Sequence, residues 1–162
     1  MSPKPPKRRR RGVVDTSVVA AGVAGFKAGV TPTNDSAKLI RNWIENDSFV
    51  WLVSGDIVDE YEAVLGRLRV RPALIGTIVN LLQEEAEQVK SAGSIEAEPD
   101  PEDAPFSECA EHGRADFIVT LNPKDFPQSK LKAKVILPSE PLPSAATRRA
   151  TSQPRRRRRR RH

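Results

Sequence analysis

Cysteine is almost missing from this 162-residue chain. Cys109 stands alone, so no internal disulfide can form. That fits a protein of the reducing cytoplasm, the expected location. Histidine is scarce too. His112 is the only one in the part expected to fold, so no Ser-His-Asp set is available. Cys109 and His112 together supply too few donors for a structural zinc site and read as helix residues. No apolar run approaches the roughly 20 residues of a membrane span, and no membrane partner is expected. The basic N-terminus is not followed by a signal-peptide core, because residues 13–23 carry Asp15 and no cleavage pattern. Internal repeats are also absent.

Acids are missing from both ends. Six of the 27 basic residues lie in the first eleven positions and nine more lie from Arg148 onward. The stretch between holds the other 12 with all 21 acids, a net charge of −9. The chain is therefore an acidic body between basic arms, and the arms suggest a polyanion partner. Residues 1–11 read as a disordered basic arm, 12–140 as the folded domain, and 141–162 as a disordered tail rich in Pro, Ser and Arg. Arg8, Arg9, Arg10 and Arg11, with Arg155, Arg156, Arg157 and Arg158, are the candidate contacts to nucleic-acid phosphates. Docking of an acidic partner and a by-product of GC-rich coding are the less favoured readings of the polyarginine run. Neither arm interleaves aromatics, which argues against base stacking.

Within the domain, short apolar runs alternate with helical patterns. Strands are expected at 12–15, 49–53, 117–120 and 134–137. Helices are expected from residue 18, over 36–46, after a Ser54 cap, over 72–89 and over 101–112, the last closed by Gly113. Such alternation argues for an α/β fold with a parallel sheet covered on both faces. Ligands of such sheets bind at the carboxyl ends of the strands.

Acids collect at those ends. Asp15 closes the first strand in VVDTSVV. Glu60 lies beside the apolar stripe of the helix SGDIVDEYEAVLGR. Asp103 begins the helix in DPEDAPFSECA, one turn after Asp100. VTLNPKDFP offers Asn122 and Asp125 after another strand. Hard oxygen donors gathered in a crevice favour Mg²⁺ or Mn²⁺, and such sites commonly perform phosphoryl chemistry. Each acid also has a plainer reading. Asp15 would cap a helix, Asp100 and Asp103 would favour a helix N-terminus, and Glu60 would be a solvated edge residue.

VVDTSVV, SGDIVDEYEAVL and DPEDAPFSECAEHGRADFIVTLNPKDFP, in that order, resemble a PIN domain, closest to the bacterial toxin–antitoxin branch of VapC-like toxins. The resemblance implies a three-layer α/β/α fold and a metal-dependent ribonuclease using Mg²⁺ or Mn²⁺. By position, Asp15, Glu60 and Asp103 match the family's acidic metal-binding residues. Asn122 stands at the fourth position, with Asp125 as a substitute, and Ser17 and Asp100 play supporting parts. The resemblance also implies RNA as substrate, a small cognate antitoxin and a homodimer. A catalytically weak RNA-binding protein that relies on its arms is the alternative, since Asn122 brings no charge.

Overall fold

The computed structural model describes residues 9–25, 34–90 and 104–144. In chain order the elements are β1 (Arg11–Val14), α1 (Thr16–Gly25), α2 (Asp35–Asn46), β2 (Val50–Val53), α3 (Gly55–Arg67), α4 (Pro72–Glu85), β3 (Glu87–Gln88), α5 (Ala104–His112), β4 (Phe117–Val119) and β5 (Lys134–Ile136). The strands form one parallel sheet in the order β3-β2-β1-β4-β5. With its helices the sheet makes the expected three-layer α/β/α fold.

The central strands are short and apolar because they are covered on both faces. Val13, Val14, Leu52, Val53, Phe117, Ile118 and Val119 are fully buried. Gly12 pairs with Trp51 on one side and Phe117 on the other. A Cβ on Gly12 would run into the Phe117 ring, so glycine is what lets that aromatic lie flat across β1. Trp43 of α2 meets Trp51 edge-on at 4.7 Å between ring centroids, and Phe49 meets Phe117 in the same way at 5.3 Å.

Helix starts follow local chemistry. The Ser54 hydroxyl accepts from the Ile57 amide, as expected of a cap. Asn34 caps α2 by accepting from the Ala37 amide at 2.7 Å, and its own amide donates to the Ala21 carbonyl, tying α2 to α1. Pro72 opens α4 at a position whose amide would have no helical partner anyway.

Three sequence expectations change. The helix expected over 72–89 ends at Glu85, and Glu87 and Gln88 form the edge strand β3 against Leu52 and Val53. Both residues are exposed, so this strand is held by backbone bonds with no apolar pattern to announce it. After α5 the left-handed residue is Arg114 (φ 55°), not Gly113. Gly113 is required for space instead: a Cβ there would press on the Cys109 carbonyl and the Leu52 side chain. Finally, Arg11 is not part of a free arm. It begins β1, and its guanidinium is bonded to Glu87 and to the Gly113 carbonyl.

All strands run the same way, but the order in which they are added reverses once. β1, β2 and β3 step one way, while β4 and β5 lie on the other side of β1. The carboxyl ends of β1 and β4 therefore flank the switch point, where a crevice opens in folds of this kind.

Candidate functional site

Asp15 sits at that switch point. Its amide donates to the Val119 carbonyl of β4, and its carbonyl accepts from Val18 and Val19 at the start of α1. A helix must begin at once because the strand is used up, and the carboxylate is left at the joint, 7% exposed. Two hydroxyls hold one of its oxygens. Ser17 Oγ donates to Oδ2 at 2.6 Å, and Thr120 Oγ1 donates to the same atom at 2.8 Å.

Each hydroxyl is itself fixed from behind. Ser17 Oγ accepts the Leu121 amide at 3.1 Å, and Thr120 Oγ1 accepts the Asn122 amide at 2.9 Å. Two backbone amides of the loop after β4 are thus relayed through two hydroxyls onto a single carboxylate oxygen. Among the described residues, no donor reaches Oδ1 and no cation pairs with Asp15. A buried carboxylate with one oriented oxygen and one still available is a suitable donor to a hard cation.

Glu60 is half-buried in the second turn of α3. Its neighbour Tyr61 is fully buried and ties this helix to the end of β1. The Tyr61 hydroxyl donates to the Val14 carbonyl at 2.6 Å and accepts from Trp51 Nε1 at 3.3 Å. Residues next to Glu60 and next to Asp15 are therefore joined by one hydrogen bond. Burial pushes the Tyr61 phenol well above its ordinary range, so it remains a neutral donor. Burial likewise pushes the Cys109 thiol up to about 12. That leaves it an inert core residue of α5.

Asn122 and Asp125 lie in the loop beyond β4, both exposed. Asn122 is brought to the Asp15 cluster by its backbone amide. Asp125 lies three residues on, in a single 3₁₀ turn, Pro123–Asp125, anchored by buried Phe126. Asp103 and Asp100 lie outside the described residues, as do Arg8 and Arg155 to Arg158. Among the described residues no three His, Cys, Asp or Glu side chains gather as a cation site. Arg9 is paired with Asp47 at 2.8 Å, both side chains exposed.

Thr120 is the member of the cluster that sequence reasoning missed as a site residue. In IVT it reads as the end of a strand, and only the fold reveals that its hydroxyl faces Asp15.

No curated protein matches the chain. The sequence pattern of the PIN domain family matches residues 11–124. The match begins with the first residue of β1 and ends in the turn after β4, so it takes in Asp15, Ser17, Glu60, Thr120 and Asn122 and stops one residue short of Asp125. It covers well over half of the sequence, and the chain belongs to the PIN domain family.

Proposed function

We propose that this chain is a metal-dependent endoribonuclease that hydrolyses RNA phosphodiester bonds, with Asp15, Glu60 and Asp103 holding Mg²⁺ or Mn²⁺. PIN domains are generally metal-dependent nucleases. The observation that carries the reading is Asp15: a buried carboxylate at the switch point, oriented by Ser17 and Thr120, with no described cation to balance it.

In this reading Asp15 offers Oδ1 while its other oxygen stays fixed. Glu60 and Asp103 complete the set, Asn122 and Asp125 are further oxygen donors, and Asp100 is a supporting acid. These residues would hold a divalent cation, which when bound would lower the pKa of a water molecule and offset negative charge around phosphorus. Ser17 and Thr120 keep the carboxylate from rotating. Tyr61 keeps α3 against β1, so that Glu60 and Asp15 stay in register.

The proposal extends to partners. Resemblance to the VapC-like branch supports the role of a toxin in a type II pair, neutralised by a small cognate protein. A homodimer is supported by α4. Of its apolar side chains only Leu82 is buried, Leu74 is 38% exposed, and Ile75, Ile78, Val79 and Leu81 are half-buried. No helix among the described residues is long and apolar enough to cross a membrane.

Purified chain, a labelled single-stranded RNA and Mn²⁺ or Mg²⁺ test the reading, beside Asp15→Asn and an EDTA control. Cleavage that requires both Asp15 and the cation is expected, together with calorimetric Mn²⁺ binding that Asp15→Asn weakens. RNA left intact by folded protein that still retards it on a gel would favour the RNA-binding alternative.

A further inference from the structure

The basic arms are not the only cations set against this acidic body. α3 ends and α4 begins around the short stretch RLRVR, residues 67–71. Arg67, Arg69 and Arg71 are all exposed, and none has a carboxylate within ion-pair distance among the described residues. Elsewhere Arg9 is paired with Asp47, Arg11 with Glu87, Lys38 with Asp35 and Arg41 with Glu45. The corner gathers three arginines within five residues.

Arg67 has an ordinary reason to be where it is, since a cation in the last turn of a helix is favoured by the helix dipole. Arg69 and Arg71 lack that reason. Arg69 also occupies a left-handed backbone conformation (φ 64°), an uncommon one for a residue with a long side chain. The corner is fixed rather than slack. Leu68 donates to the Val64 carbonyl, Arg69 to Gly66 and Val70 to Leu65, each at 3.0 Å. Its three cations are therefore presented from a rigid turn.

Their position relative to the site gives the corner its meaning. Arg67 follows Glu60 by seven residues, two turns of α3. The two side chains therefore share a face of the helix, about 10 Å apart along its axis. A polyanion held at the crevice and continuing along α3 meets the arginines next.

We infer that the α3–α4 corner is a phosphate-contacting surface, on which Arg67, Arg69 and Arg71 grip the RNA backbone beside the bonds to be cut. The inference rests on the ribonuclease reading. It assigns to the folded domain a part of the RNA affinity that composition alone gives to the arms. Guanidinium groups suit this task, since each meets phosphate through a planar fork and stays charged throughout the working range.

The test is fluorescence anisotropy of a labelled single-stranded RNA with the full chain in EDTA, from 50 to 200 mM KCl. The triple variant Arg67→Gln, Arg69→Gln, Arg71→Gln is expected to flatten the slope of log K against log salt by about 2. That amounts to losing roughly 16-fold of the affinity change over this range. The triple lysine variant restores the slope. Lys38→Gln with Arg41→Gln, which removes two cations already paired on α2, leaves it unchanged. If the triple variant fails to fold, each single Arg→Gln variant is expected to flatten the slope by about 0.7. A slope equal to wild type in folded glutamine variants, or an equal loss in the α2 control, overturns the inference. In that case the nuclease reading still stands on the separate cleavage assay with Asp15→Asn. A wild-type chain that neither holds nor cuts RNA overturns both.

Discussion

β1 and β4 carry a buried carboxylate at each end of their pairing, and the two are handled in opposite ways. At the amino end, Asp116 is 2% exposed and belongs to the backbone. Its Oδ2 accepts the Arg11 amide at 2.9 Å, its own amide donates to the Arg11 carbonyl at 2.7 Å, and its carbonyl takes the Lys134 amide. Arg11 closes that end by forking onto Glu87 of β3 and reaching Gly113. At the carboxyl end, Asp15 is oriented by the side-chain hydroxyls of Ser17 and Thr120 rather than by the backbone of the neighbouring strand. One carboxylate fastens strands together and the other is held ready. The residue type is the same, but the end of the sheet decides its use.

Substitutions can break or sharpen this contrast. Asp15→Asn should have the largest effect, lowering cleavage by at least about 10²-fold, because the metal ligand proposed here matters more than the outer partners whose loss costs 10–100-fold. Its melting temperature should barely move. Asp116→Ala should do the reverse. Loss of a buried acceptor leaves the Arg11 amide unsatisfied and costs about 1–3 kcal/mol, read in a denaturant titration, while activity of the folded fraction persists.

Thr120→Val keeps the shape but removes the donor to Asp15 and the acceptor for Asn122. Cleavage and Mn²⁺ affinity should fall roughly 10–100-fold, and Thr120→Ser should restore them. If the valine variant lowers stability alone, the hydroxyl relay has no part in the site.

The smallest effect belongs to Glu87. The Arg11 guanidinium holds its carboxyl below the usual value, so the pair contributes stability above the ordinary Glu range and loses it as pH falls through the lowered value. The Glu87 side chain is 46% exposed, so the contribution is small. Glu87→Gln should slightly flatten the acid limb of a melting-temperature profile and leave the neutral region nearly unchanged.

What the sequence made legible follows from which force builds each part. FVWLV is a continuous apolar run and SGDIVDEYEAVL carries a helical apolar stripe because burial makes β2 and α3, and both were readable. β3 was not, since Glu87 and Gln88 join the sheet by backbone bonds and one ion pair, with no apolar side chain buried. The place of Asp15 followed from strand ends and topology. Its partners Thr120 and Leu121 did not, because their meeting with Ser17 and Asp15 depends on a strand pairing formed across more than a hundred residues. The arginines of the α3–α4 corner were hidden by arithmetic: in a body of net charge −9 they vanish into the total.

The bond between Asp15 and Thr120 spans 105 positions of sequence. Closing so long a loop is slow compared with forming helices, and on a ribosome it must wait until nearly the whole domain has been synthesised. A nascent chain that has emerged as far as α4 already displays Asp15 and Glu60, yet it lacks the strand that completes the joint. The fold thus carries its own timing. On the ribonuclease reading proposed above, the polypeptide is made inert beside the message that encodes it, and gains its cutting geometry only as translation of the domain finishes.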